Sequence, residues 1–453
     1  MDRRAFMRSA GLSAAGIALA RPASHSCAAT KGTSRRFFDI KDIRRTSVRL
    51  PYRETPKRAM DRELPHWRYI EIFEVTLGSG LTGVGETLLY YTWGRTTDDD
   101  VKRVIGRNAA DLMWDDSLGA GLQIAMFDAV ARTAGVPVHR LLGHQVHQTT
   151  PLSWWNIDTS AADMASECKL AHETGYMSYK TKGRPWFDIY EQLRLSAAAV
   201  PKEFKIDMDF NATLLTADRG MKIIKDLEKY PQVDIYESPI PQTDIAGNVK
   251  LRNATRVNIA MHYGRPTPRQ VVEHGACDGF VVGGGATKTM TAGRFSEQVD
   301  MPFWLQLVGS GITAAYSLHF GGVLKMARWP AVNCHQLYTH DLLTQRITVR
   351  DGHAQVPDQP GLGYELDRDI LNRFKINPTN ERPEPDRLLE TTFADGSRMY
   401  VANDGRVNFM LRPAMAGNMP FYKKGADTKK LPNDGTARWR RLYESARKGP
   451  VYE

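Results

Sequence analysis

Between residues 150 and 338 short apolar runs return at a steady interval, centred near Trp154, Tyr179, Asp207, Tyr236, Ile259, Val281, Trp304 and Cys334. Most intervals between them hold a stretch with the three-to-four spacing of an amphipathic helix, as in residues 161–172 and 217–229; residues 245–256 are the weakest. Strands alternating with helices predict a parallel sheet, and eight such units at this spacing predict a closed (β/α)8 barrel of the α/β class. An open doubly wound sheet would need a glycine-rich phosphate loop after an early strand, and the chain carries none there.

The flanks have a different texture. Residues 67–77 alternate β-branched and aromatic side chains, Gly78-Ser79-Gly80 turns the chain, and residues 81–87 return it. Helical patterning follows, including residues 121–134, closed by Gly135 and Pro137. That is an α+β domain over residues 37–148, ahead of a barrel over 149–370. Residues 371–453 read as a β-rich extension. Its expected strands are 390–393, 398–401 and 406–411, joined at Asp395-Gly396 and Asp404-Gly405. Residues 421–453 carry nine Lys/Arg against four Asp/Glu, the composition of a solvated, loosely attached tail.

Composition narrows the class. With 453 residues, 42% hydrophobic and 25% charged, the chain is globular, neither disordered nor fibrous. No apolar run reaches the roughly 18–20 residues of a membrane span. The net charge of +10 suits an anionic small molecule and is too diffuse for a nucleic-acid surface. Residues 1–29 run from Arg3-Arg4 and Phe6 through small apolar residues to Ala28-Ala29. They resemble a twin-arginine export signal, which predicts a periplasmic protein. Cys27 follows a poor lipobox, and Cys168, Cys277 and Cys334 are too scattered for a disulfide framework; they are expected to be buried.

A barrel carries its chemistry at the C-terminal ends of its strands. The second strand ends Lys180-Thr181-Lys182, and period two points both ammonium groups into the mouth. Crowded cations depress one another's proton affinity, which is how a lysine becomes a base near neutral pH. The third strand ends Asp207-Met208-Asp209-Phe210-Asn211 and the fourth Tyr236-Glu237. Asp209 and Glu237 are oxygen donors suited to a hard cation such as Mg²⁺.

These segments, in this order, resemble the mandelate racemase and muconate-lactonising branch of the enolase superfamily. The resemblance rests on Gly83-Val84-Gly85-Glu86, on Phe127-Asp128, and on Gly135 through Gly143. It continues in Lys180-Thr181-Lys182, Asp209-Phe210-Asn211, Glu237-Ser238-Pro239 and Pro357 through Gly363. It implies an α+β cap over the barrel, a divalent metal on the substrate carboxylate, and removal of the α-proton to give an enediolate. Lys182 would be the base, and Lys180 would lower its proton affinity. Asp209 and Glu237 would be ligands, with Asn211 beside them. The family is usually homo-oligomeric.

Departures shape the rest. Where a third acidic ligand is expected the chain has His262, which would favour Mn²⁺, Fe²⁺ or Zn²⁺ if it ligates, or would serve as an acid, a base or a substrate contact. The Asp–His dyad of racemases is missing: Asp278 comes too early, Gly283-Gly284-Gly285 fills its place, and the seventh strand offers Gln306. Lys288 lies too far on to be an opposing lysine, and Tyr338 stands where an acid is usual. One base fits dehydration of an acid sugar, with Tyr338, His262 or His335 as proton donor. Alternatives are a racemase or cycloisomerase, a Schiff-base aldolase, and a non-catalytic acid-sugar binder. Gly283–285 would clear room for a bulky ligand, and Tyr90, Trp93, Trp154 and Trp155 are candidate stacking surfaces for a sugar ring.

Overall fold

The computed structural model describes residues 34–91 and 95–453; residues 1–29 and Trp93 lie outside them. Eight parallel strands form the barrel. They are Thr149–Trp155, Ser178–Lys182, Lys205–Asp209, Val233–Glu237, Asn258–His262, Gly279–Val282, Phe303–Leu305 and Ala331–Val332. Neighbours pair in sequence order, the eighth pairs with the first, and the seventh and eighth carry no ladder between them, so the barrel is nearly closed. Every expected run forms its strand, with Cys334 just past the last. The weakest expected helix also forms, as Ile245–Ala254, because Asp244 caps it by accepting the Gly247 N–H.

Alternation along each strand sorts side chains between helix and barrel. The Tyr236 hydroxyl reaches outward to the carbonyl of Ile224 on helix Ala217–Leu227, so Glu237 turns inward. Ile206 and Met208 are buried outward in the same way, leaving Asp207 and Asp209 to the barrel.

The cap is a four-stranded antiparallel sheet of Lys375–Ile376, Ile40–Arg49, Tyr69–Leu77 and Thr82–Leu88, its edge strand supplied from within residues 371–453, with helix Ala120–Ala134 lying across it. Gly83 and Gly85 make that contact possible. A Cβ on Gly83 would sit 2.1 Å from Ala129 N, and one on Gly85 2.1 Å from Gly121 O. Two buried carboxylates then fasten the cap to the barrel. Glu86 accepts the N–H groups of Ser310 (2.6 Å) and Thr313 (2.8 Å) at the start of helix Gly311–Val323. Asp128 accepts the N–H of Val84 and of Leu362, both at 2.8 Å, and pairs with Arg132 at 2.9 Å.

The glycine run after the sixth strand serves the same fastening. Asp116 of the cap accepts the N–H groups of Thr287 (3.0 Å) and Lys288 (2.9 Å), and a Cβ on Gly285 would lie 2.3 Å from its carboxyl carbon. The reading of these glycines as space for a bulky ligand is therefore corrected for Gly285: it admits a cap carboxylate to a helix N-terminus.

The extension departs most from expectation. Strands Leu388–Thr392 and Arg398–Ala402 form, but residues 406–411 do not make a strand. Asn408 takes a left-handed φ of 55°, and adjacent Phe409 and Met410 are both buried, which a one-faced strand forbids. Asp427–Leu431 and Val451–Tyr452 complete a four-stranded sheet instead, and Trp439 and Tyr443 of helix Ala437–Ala446 are buried in its outer core. The segment expected to be a loose tail is thus part of a packed layer. Its inner core takes in Trp186 and Phe187 from the loop after the second barrel strand.

Candidate active site

Register brings the chemistry together. Lys182 pairs with Asp209 across the second and third strands, and Asp209 with Glu237 across the third and fourth. The Lys180 ammonium stands 2.5 Å from Glu237 Oε2 and 3.8 Å from Asp209 Oδ2, with lysine and both carboxylates about 1% exposed. It also donates to Gln306 Oε1 at 3.2 Å and sits 5.4 Å from the Trp304 ring centroid. Lys182 pairs closely with Asp209 Oδ2 and donates to Asn211 Oδ1 at 3.4 Å.

The two lysines are driven apart in proton affinity. Burial would lower Lys180, but Glu237 and then Asp209 outweigh it and hold the ammonium charged above its ordinary value. Lys182 falls below its ordinary value: burial exceeds the pull of Asp209, and the Lys180 charge adds to the fall. Glu237, despite burial, is kept ionised well below the usual carboxylate range, first by Lys180 and then by His262.

Asn211 is a positioning residue here. Its N–H donates to Asp209 Oδ1 at 2.8 Å, and its Oδ1 accepts from Arg184 Nη2 at 2.6 Å, so it braces the ligand-type carboxylate instead of joining it. Arg184, absent from the sequence reading, is itself buried and donates to the Phe210 carbonyl at 3.1 Å. Its one sequence signal was its place two residues beyond Lys182.

The lysines open onto a cavity of about 70 Å³. Lys180, Lys182 and Gln306 form its floor, and Trp67, Tyr91, Trp155, Val308 and Val332 are among the residues of its wall. Trp155 stacks on Trp67 at 5.4 Å between centroids. The other candidates lie elsewhere. Trp154 faces outward, its Nε1–H on Glu167 at 2.9 Å. The Tyr90 hydroxyl donates to the Thr379 carbonyl at the surface. Tyr338 donates to the Trp67 carbonyl at 2.8 Å and stacks on Tyr52, with burial raising its hydroxyl far above the ordinary value. His335 meets the Tyr176 hydroxyl at 3.0 Å in a separate cavity beside Arg53, and burial pushes its ring down to about 4. Neither is placed to give a proton in the lysine cavity. Asp278 is spent at the far end of the barrel on Arg252 and on the N–H of Ile259.

Enolase-superfamily enzymes generally use Mg²⁺. The donors present here do not form a cage for it. Among the described residues no three His, Cys, Asp or Glu side chains converge on one point. His262, half-exposed, turns its Nε2 to Glu237 Oε1 at 2.8 Å, and the Lys180 ammonium lies between the two carboxylates that a cation would bridge. The contacts run in one line, Lys182 to Asp209 to Lys180 to Glu237 to His262.

The fold has known counterparts. The Enolase C-terminal domain-like family model matches residues 163–370. That match puts the barrel in the enolase superfamily, and the homologues are muconate cycloisomerases, acid-sugar dehydratases and racemases of its mandelate racemase and muconate-lactonising branch. The chain is 24% identical over 349 residues to muconate cycloisomerase 1 of Rhodococcus opacus, covering 67% of this chain and 90% of that one. It is 22% identical over 374 residues to arabinonate dehydratase of Saccharolobus solfataricus, covering 74% and 99%. The crystal structure of muconate cycloisomerase from Pseudomonas fluorescens superposes with a TM-score of 0.60 at 20% identity, covering 75% of this chain and 99% of that one. About a quarter of the chain, then, has no counterpart in that relative, and the family match ends at residue 370, before the extension begins.

Proposed function

We propose that this superfamily enzyme, of the lyase or isomerase type, removes the proton α to the carboxylate of a small acid from one face only, with Lys182 as the base. The observation that carries this reading is the pair of lysines on one cavity floor, one held charged and the other pushed towards the free amine. Lys180 and the Gln306 amide receive the substrate carboxylate. The Lys182 amine takes the α-proton, and its new charge is met by Asp209. The enediolate oxygens then face the Lys180 ammonium, whose position is already fixed by Glu237, so little reorganisation accompanies the charge that develops. No second base stands at the sixth or seventh strand end, which favours elimination or ring closure over racemisation. The relatives' names span both outcomes, dehydratase and cycloisomerase. With Tyr338 and His335 elsewhere, His262 is the candidate proton donor for dehydration, on the strength of its contact with Glu237, the partner of Lys180. Export to the periplasm on residues 1–29 completes the reading.

The test is α-hydrogen exchange in ²H₂O over a panel of 2-hydroxy and unsaturated carboxylates, followed by NMR. Exchange that falls at least about 1000-fold in Lys182→Ala, with a raised KM in Lys180→Met, is the expected result. Exchange surviving in Lys182→Ala would remove the base from this site.

A further inference from the structure

The extension is built onto the mouth of the barrel. Tyr422 donates its hydroxyl to the Gly183 carbonyl at 3.0 Å, one residue past Lys182, and meets the Thr213 hydroxyl at 2.6 Å. The next residues of the same loop are held as firmly. Thr428 donates to the Trp186 carbonyl at 2.7 Å, and the Asp188 N–H donates to the Ala426 carbonyl at 2.8 Å. On the cap side, Arg387 is buried and donates to the carbonyls of Arg62 (2.9 Å) and Glu63 (3.2 Å). The extension therefore bridges cap and barrel beside the cavity that holds Lys182.

At that bridge the turn that replaced the expected third strand enters the cavity wall. Val407 and Asn408 line the same space as Lys180 and Lys182. The left-handed Asn408 and the Leu411 N–H donating to its carbonyl shape this turn, and buried Phe409 and Met410 anchor it in the inner core of the extension.

The wall that results is mixed, and its hydroxyl and amide groups are few. Beyond the two lysines, the polar groups on it are the Gln306, Tyr91 and Asn408 side chains and the indole N–H groups of Trp67 and Trp155, that of Trp67 buried without a partner; the remainder are Leu64, Ile157, Val308, Val332, Val407 and the Cys334 thiol. The floor uses Gln306 for Lys180, which leaves little to satisfy a polyol chain. A hydroxyl buried without a partner keeps its full desolvation cost.

We propose that the C-terminal extension completes the substrate pocket through Val407 and Asn408, and that the pocket so closed selects a small monocarboxylate with an apolar body over a polyhydroxylated acid. This rests on the reading of Lys180 as the carboxylate seat. The extension thereby sets specificity from a part of the chain beyond the family match.

The full chain is titrated with 3-methylbutanoate and with arabinonate, following indole fluorescence, since Trp67 and Trp155 wall the cavity. Two variants keep the turn: Val407→Thr is isosteric, and Asn408→Gly favours the left-handed φ. Unchanged thermal unfolding certifies each fold. The expected result is at least tenfold tighter binding of 3-methylbutanoate, with that ratio reduced about fivefold in Val407→Thr and shifted in Asn408→Gly. Tighter binding of arabinonate overturns the substrate class, and an unchanged ratio in both variants overturns the role of the extension. Lys180→Met separates the two levels. If it abolishes binding of both acids, the carboxylate seat stands and the ratios are decisive; if it leaves binding intact, the underlying reading of the site fails, and this proposal with it.

Discussion

The Lys180–Glu237 pair is the sharpest physical claim about this site, because a charge this deep needs a fixed partner. At 2.5 Å, with both side chains about 1% exposed, the gross attraction is about 7 kcal/mol for an effective dielectric constant of about 20. Desolvation of both ions takes back much of it. Removing one partner leaves the other buried and uncompensated, a loss of about 3–5 kcal/mol. Asp209, 3.8 Å from the same ammonium, softens the loss after Glu237→Gln towards the lower end. The measurement is a double-mutant cycle with Lys180→Met, Glu237→Gln and the pair together, read by chemical denaturation at pH 7. The single variants are expected to lose about 3 kcal/mol each. The double variant should lose clearly less than their sum, a coupling of about 2 kcal/mol. Glu237 is held below the ordinary carboxylate value, so its contribution is present above that value and is lost as pH falls through the lower one. The coupling should therefore fade in acid. Additivity within about 0.5 kcal/mol at pH 7 would refute the reasoning.

Three further outcomes follow from the same geometry. Exchange should rise with pH through a value below the ordinary lysine value of about 10.4, because Lys182 acts as the free amine and is lowered by burial and by Lys180. In Lys180→Met that inflection should move upward, read from a pH–rate profile; a downward or absent shift contradicts the assignment. Gly85→Ala should lower stability by about 2–3 kcal/mol, since its Cβ meets backbone at 2.1 Å, whereas Gly80→Ala, with nothing within 4 Å, should lose only the left-handed strain of about 1–2 kcal/mol. Thermal unfolding of the two variants compares them directly. Titration with Mg²⁺ should show no stoichiometric binding by calorimetry; a one-to-one isotherm abolished by Asp209→Asn would restore the three-ligand cage.

The chain by itself determined the barrel, and the reason is periodicity. Eight apolar runs separated by helical spacing leave few alternatives, and period two was enough to aim Lys180 and Lys182 together and to set Asp209 and Glu237 at adjoining strand ends. Local chemistry also carried the Gly83-Val84-Gly85-Glu86 motif, although its purpose emerged only from the helix pressed against it. Tertiary structure decided which polar groups face the same space. Trp154 and Trp155 are neighbours in sequence and opposites in the fold, because alternate strand residues point to opposite faces. His335 and Tyr338 follow the eighth strand, yet a 3₁₀ turn over His335–Leu337 carries both away from the mouth. Nothing local marks Val407 and Asn408 as pocket residues, since they reach the lysines across more than 220 positions of chain through a sheet that closes late in the sequence. Whether the two carboxylates meet a metal ion or an ammonium is likewise a matter of distances, which burial and register set and composition does not.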